Sequence, residues 1–528
     1  MNSSEIQAPF PSARVRAAAL VLIAGAFAVV LAWAPSRLFD LERYLVPKAL
    51  ALHATALALL ALGVVPLRRA EWGRIGSLLL LLVGWSALSG LLAENRWLAF
   101  EGWGITFSGT VVFLAARALP LELRRRALAG ILGAAVLAAA LAVAQAYGAE
   151  GAWLSDSRPP GGTFGNRNFL GHLSAIATPV ALMTALRARR RTAVAAALIG
   201  LAVLTAAVVL TRSRAAWLGG IAGVSCALVG AAMAHGRADV LGPRLPIRRI
   251  WAGAAAMLAA VAIAVFVPNE LDWVTDAPYA ATLGRLADYR EGSGAGRLVQ
   301  YENSLALVPD APVLGVGPGN WFVQYPRVTS RSDPAYAGQD MIPTNPWPSS
   351  DWVALLVERG SLGAALLLLA GAAAAVVGLR GNGRDPIDRC AAGVALGVLA
   401  AAFVCGAFDA VLLLAAPLYL TMAAVGLALP PVVVASLGAE SDPDLGRRRT
   451  VGLWVAVALV AYTAAHTTAI ALTAESTETA ALQRAARWAP GEHRLQLALA
   501  ERGRCENARR AAALMPYHPR VQRLASCG

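Results

Sequence analysis

The residues able to do chemistry in this sequence sit in four polar stretches set among long apolar runs. Thr211-Arg-Ser-Arg-Ala-Ala-Trp-Leu-Gly219 places Arg212 and Arg214 between two apolar segments. Arginine at membrane depth is costly and is usually paired or functional, and its planar fork of donors matches phosphate oxygens. We expect at least one of the two to bind phosphate, with snorkelling to lipid headgroups as the alternative. Gly296-Arg-Leu-Val-Gln-Tyr-Glu-Asn-Ser-Leu305 puts Arg297 at the head of an amphipathic stretch, where it can face the same site or pair with a loop carboxylate. Pro348-Ser-Ser-Asp-Trp-Val-Ala-Leu-Leu-Val-Glu-Arg-Gly-Ser-Leu-Gly363 carries Asp351 and Glu358, spaced by about two helical turns and so on one face. Asp351 can accept a proton or cap the helix. Glu358 can face a substrate or pair with Arg359 or with an arginine of a neighbouring helix. In Gly161-Gly-Thr-Phe-Gly-Asn-Arg-Asn-Phe-Leu170, glycines permit close backbone approach. Asn166 and Asn168 can then hydrogen-bond sugar hydroxyls or cap the helix that follows. His172 lies just beyond. Trp321 closes the Gly-rich run Pro312-Val-Leu-Gly-Val-Gly-Pro-Gly-Asn-Trp321 and offers a ring for stacking on a sugar.

The elements that must position these groups are apolar helices. The chain has 528 residues, 57% hydrophobic and 15% charged, a membrane-protein composition. Thirteen segments can span a bilayer: Ala17–Ala34, Ala49–Leu67, Ile75–Leu92, Gly102–Ala116, Ala127–Tyr147, Asn168–Leu186, Thr192–Thr211, Ala215–Met233, Ile250–Val267, Trp352–Leu379, Cys390–Phe408, Ala410–Leu437 and Val451–Thr473. The fourth is short and the pair around Asp409 is tightly joined, so the expected fold is an all-α polytopic membrane protein with 12–13 transmembrane helices. No small-residue cleavage site follows the first segment, which is expected to be retained as a span. The formal charge of +14 comes almost wholly from arginine, Lys48 being the single lysine. With the N-terminus in the cytoplasm, the inner connections carry 23 basic residues and the short outer ones eight. The positive-inside rule accounts for that asymmetry, so nucleic acid is excluded as a partner. The long polar stretch 268–350, with five arginines against nine carboxylates and half of the ten tyrosines, then faces outward as a folded cap. Residues 474–528 form an outer helical tail, in which Leu495, Ala508, Ala512 and Pro516 resemble a tetratricopeptide-like hairpin. That tail can dock an envelope protein or simply pack on the cap. Cys505 and Cys527 lie in it, on the oxidising side, and are expected to form a disulfide.

In this order and spacing, Gly-Thr-Phe-Gly-Asn-x-Asn, Ser213-Arg214-x-x-Trp217-Leu-Gly, the Gly-Arg…Pro-x-Leu-Gly-x-Gly-x-Gly-Asn run and Glu358-x-Gly-x-x-Gly363 resemble the O-antigen ligase/polymerase superfamily of bacterial membrane proteins. The resemblance spans about 161–363. It implies a metal-independent glycosyltransferase of the C-type fold in the inner membrane, without cofactor. Its donor would be a glycan on undecaprenyl pyrophosphate; its acceptor, lipid A–core for a ligase or a second lipid-linked glycan for a polymerase. Carried onto this sequence, Arg214 and Arg297 would stabilise the leaving pyrophosphate, with Arg212, Asn166, Asn168, His172, Trp321 and Glu358 in contact with substrate. Ligases typically carry a His-Asn pair nine residues before the glutamate; here those positions are Ser349 and Ser350. We therefore place the base at Asp351, with His172, or the absence of ligase chemistry, as alternatives.

The resulting organisation is helices 1–5 over residues 1–148, a ligase-like core over 149–473 that includes the cap, and the tail over 474–528. A transporter or flippase of lipid-linked glycan is the rival reading, and needs ionisable residues near the midplane. His53, His466 and Asp409 are its few candidates. A non-catalytic glycan-assembly protein is the other rival, supported by the missing histidine and the tail.

Overall fold

The computed structural model describes residues 12–155, 157–234, 246–285, 292–329, 333, 346–380, 389–432 and 443–526. Twelve helices among them are long and apolar enough to cross a membrane, and no strand occurs. These are α1 (Ala13–Leu31), α2 (Glu42–Ala61), α3 (Arg69–Leu91), α4 (Arg96–Ala118), α5 (Leu121–Ala146), α6 (Arg167–Arg187), α7 (Arg191–Leu210), α8 (Arg214–Met233), α9 (Ile247–Phe266), α13 (Asp351–Arg380), α14 (Arg389–Phe408) and α16 (Pro443–Ala471). The intervening numbers belong to α10 (Pro278–Gly284), α11 (Gly292–Leu305) and α12 (Trp321–Gln324) in the cap, and to α15 (Ala415–Ala428). The tail adds α17 (Thr479–Trp488), α18 (His493–Ala500), α19 (Cys505–Leu514) and α20 (Pro519–Ala525).

Two expected spans differ from the sequence reading. Helix α4 is longer than Gly102–Ala116, because Asn95 caps it, accepting from the amides of Trp97 and Leu98. Among the described residues of the segment Ala410–Leu437 the helix is the 14-residue α15, about 21 Å at the helical rise and short of a ~30 Å hydrocarbon core. A non-helical run, 409–414, leads into it. Irregular backbone at that depth is tolerated only where protein buries and satisfies it. Here α15 is buried along nearly its whole length, packed among α1, α2, α4, α5, α6 and α14.

The centre of the bundle is α6, buried over 94% of its span window. Against it, α8 and α14 pack so closely that a Cβ on Gly397 would stand 2.7 Å from the Gly223 carbonyl oxygen. Without water to drive helices together, small residues that let backbones approach are what hold such a pair. At one end of the bundle, arginines cap helices. Arg124 donates to the carbonyls of Leu119, Leu427, Leu429 and Arg117, and Arg117 donates to that of Pro430. These are cations on the negative ends of helix dipoles, so two of the charges read as topology signals also stitch α4, α5 and α15.

The opposite end carries the cap. Leu307, Trp321, Phe322, Val323 and Tyr325 form its own core, which is continuous with Val357 of α13 and with Ala511, Met515 and Val521 of the tail. Helices α17 and α18 pack on Ala34, Phe39, Val46 and Ile470. The tail is thus a short helical layer laid over the cap and over the first helix connection. Cys505 begins α19 and is exposed; Cys527 lies outside the described residues, and so does the disulfide expected between them.

Candidate functional site

Two polar clusters lie at the capped end. The first gathers the ends of α6, α8, α11 and α14. Asp409, just past α14, is 3.7 Å from the Arg297 guanidinium of α11 and accepts a hydrogen bond from Asn168 Nδ2 of α6 at 3.2 Å. One turn along α6, His172 is wholly buried, with Nε2 3.5 Å from the Ser213 hydroxyl and Nδ1 without a partner. Asn166 does what the capping alternative expects, accepting from the amide of Asn168. Beside this group, Arg212 holds φ +52°, a left-handed conformation uncommon for such a residue. Its Nε donates to Thr282 at 2.9 Å, and its guanidinium lies 4.5 Å from the Trp273 ring centre. Arg167 lies 4.8 Å from the same ring. Burial pulls the Arg212 guanidinium somewhat below its usual value, with the Tyr279 hydroxyl opposing. Arg214 is half-buried and donates to the Arg285 carbonyl at 2.7 Å.

The sequence placed Asp351, as base, and Glu358, as a substrate contact, on one helix face. Their carboxylates go to different partners. Ser350, not Asp351, caps α13, its hydroxyl accepting from the amides of Trp352 and Val353. Asp351 is 2% exposed and reaches across to the 409–414 run, accepting from the amides of Val411 at 2.9 Å and Leu412 at 2.8 Å. It satisfies the irregular backbone that leads into α15 and leaves no oxygen aimed at open space.

Helix α13 breaks at Gly360, φ +67°. The carbonyls released there are taken by the Gly-rich run: the amides of Val316 and Gly317 donate to Val357 and Glu358, both at 2.9 Å, and Ser361 donates to Pro312. A Cβ on Gly315 would meet the Glu358 carbonyl carbon at 2.3 Å, and one on Gly360 the Val313 oxygen at 2.1 Å. Two motifs separated by forty residues are therefore the two halves of one backbone junction, which fastens the cap to α13. The Glu358 carboxylate follows its Arg359 alternative, at 3.4 Å, and also accepts from the Trp321 amide.

Residues 199–368 match the family model for O-antigen ligase. The chain carries an O-antigen ligase/polymerase superfamily domain. No curated protein matches. The ligase match covers Ser213, Arg214, Arg297, Asp351 and Glu358, while Asn168, His172 and Asp409 lie outside it and join the site only through the fold.

Within residues 199–368 the structure also places Trp321 and Ser349. Trp321 is fully buried, its Nε1 donating to Ser304 at 2.8 Å and its ring 4.4 Å from that of Tyr325; no face is left for a sugar. Ser349, at the ligase histidine position, is a backbone hub, its amide donating to Gln300 and its carbonyl accepting from the Tyr301 hydroxyl.

The second cluster was not read from sequence as a site. Beneath the cap, a cavity of about 170 Å³ is lined by Glu101 of α4, Glu358 and Arg359 of α13, His466 of α16, and Glu492 and His493 at the head of α18. Glu42, Lys48, Trp347, Phe322, Phe164 and Leu412–Leu414 are among its other walls. His466 Nε2 is 3.1 Å from Glu492 and its Nδ1 is 4.0 Å from Glu101. Burial alone would raise the Glu492 carboxyl, but His493, His466 and Arg494 outweigh it and hold the group well below the usual carboxylate range. Burial pushes His493 down to about 4, against the pull of Glu492. The ionisable residues Glu101, Glu358, Arg359, His466, Glu492 and His493 come from four separate segments, so no local spacing could have announced them.

Proposed function

We propose that the protein transfers glycan from a polyprenyl-pyrophosphate carrier to a second glycan at the outer face of the inner membrane, without a metal. The observation that carries this reading is the Arg297–Asp409–Asn168 constellation beside Arg212 and Arg167, a cationic group holding one carboxylate at the capped end of the bundle. The acceptor hydroxyl oxygen forms a bond to the anomeric carbon as the bond from that carbon to the pyrophosphate oxygen breaks. The proton passes to Asp409, and the negative charge gained by the leaving pyrophosphate is met by Arg297 with Arg212 or Arg167. Asp409 takes the role that sequence gave to Asp351, since both Asp351 oxygens go to backbone amides whereas only one of Asp409's does. An apolar cavity of about 440 Å³, lined by Leu367, Leu368, Ala370, Leu399, Phe403 and Leu412 among others, suits an isoprenoid chain below that head group.

Incubation of the purified protein with radiolabelled lipid-linked glycan tests the reading. Chain lengthening identifies a polymerase, and transfer to lipid A–core a ligase; transfer to protein identifies an oligosaccharyltransferase. Arg297→Lys keeps the charge but loses the fork, and should lower the rate by roughly 10²–10³, as for loss of one preorganised charge-stabilising group. Transfer at the parent rate in that variant would remove the pyrophosphate role.

A further inference from the structure

The cavity beneath the cap contains groups that the transfer scheme leaves unused. His466 is only 6% exposed at its side chain, yet its Nδ1 has no hydrogen-bond partner. His493 Nε2 is likewise unpartnered. Buried polar atoms in folded proteins are nearly always partnered, so two such imidazoles lining one space ask for a ligand with hydroxyls. The cations of the cavity are already committed. Lys48 donates to the carbonyls of Val30 and Ala32, and Arg359 to Ser86, Thr106 and Gly102. With Glu101, Glu358 and Glu492 as acceptors, the space repels an anion, and no group of three metal-binding side chains occurs among the described residues. Sugar hydroxyls, which both donate and accept, fit carboxylates and imidazoles together. The Trp347 ring, tilted on Phe169 at 5.8 Å, and the Phe322 ring give apolar walls for a pyranose face. A volume of 170 Å³ is below the ~300–1,000 Å³ of sites for drug-sized ligands, and suits a single ring.

We propose that this cavity binds one neutral sugar residue of the acceptor glycan, and that the C-terminal tail builds part of its wall through Glu492 and His493. The term acceptor rests on the glycosyl-transfer reading; the sugar site itself does not. Its wall at Leu412–Leu414 belongs to the same non-helical run as Asp409, the proposed proton acceptor.

Saturation-transfer NMR of the full-length protein in nanodiscs tests this, using glucose, galactose, N-acetylglucosamine and rhamnose as separate probes. At least one should bind the parent. Glu492→Gln should weaken that binding roughly tenfold, the size of one lost charge-assisted hydrogen bond. Trp347→Ala, which leaves the ionic cluster intact, should weaken it comparably, while Arg297→Lys should bind sugar as the parent does. No binding by any probe, or parent-like binding in both Glu492→Gln and Trp347→Ala, overturns the site. Sugar binding that follows this pattern in a protein with no transferase activity keeps the site and removes the transfer reading. Transfer lost in Arg297→Lys with sugar binding unaffected in Glu492→Gln and Trp347→Ala does the reverse.

Discussion

At the scale of single residues, two aspartates close in space do different work. Asp409 offers one oxygen to the Arg297 guanidinium and the Asn168 side-chain amide and the other to the Ala410 amide, and retains 10% side-chain exposure; Asp351 gives both oxygens to backbone amides and has almost none. Asp409→Asn should therefore abolish glycan transfer with little change in thermal midpoint, because an amide cannot take the proton. Asp351→Asn leaves one acceptor oxygen for two amides and should cost roughly 1–3 kcal/mol of stability, seen as a lowered midpoint in scanning fluorimetry. If Asp351→Asn kept its stability but lost all transfer, the base would return to Asp351. His172→Gln is the companion measurement: retained transfer keeps the proton on Asp409, and loss there with retention in Asp409→Asn moves it to α6.

At the scale of elements, the junction between the Gly-rich run and the break in α13 is the least tolerant place in the cap. Both Gly315 and Gly360 hold positive φ, and each faces backbone rather than a side chain that could move aside. Gly360→Ala should undock the cap, giving accelerated proteolysis within 268–350 and little folded protein in membranes, while the exposed Gly284, with open space around it, should accept alanine. The tail supplies a pH-dependent element. His493 has its pKa lowered on folding, so the stability it contributes is complete above its ordinary value, near 6.5, and is lost as pH falls toward about 4. The groups facing it are Glu492, Arg494, His518 and His466. Glu492 has the same sign but begins to matter only at lower pH, below the ordinary carboxylate value. Release of the tail, followed by limited proteolysis near 474–478, should increase between pH 6.5 and 4, and His493→Gln should flatten that profile.

For the whole molecule, one end of the bundle holds the cap, both polar clusters and the tail, and the other holds the helix-capping arginines. From the arginine distribution we propose that the second end faces the cytoplasm. A single cysteine at the fully exposed Val274 should label from outside intact cells, whereas one at the exposed Arg190 should label only after permeabilisation. Labelling in the opposite sense would reverse the orientation and move the site to the cytoplasmic face.

The sequence by itself determined the all-helical, membrane-spanning character of the chain and its O-antigen ligase signal, because apolar length and Gly-rich spacing are local properties of the chain. It also named Arg297, Asn168 and His172, which the fold brings together. It named Asp351 and Trp321 for their chemical type, but which atoms they touch depends on elements distant in sequence. A carboxylate serves as base or as backbone anchor according to whether an unsatisfied amide faces it, and the run 409–414 supplies two. Asp409 was visible only as an isolated charge in an apolar stretch until α11 and α6 brought Arg297 and Asn168 to it. The cavity of Glu101, His466 and Glu492 was beyond reach for the same reason, since Glu101 and Glu492 are 391 residues apart along the chain and meet only because the tail folds back over the cap.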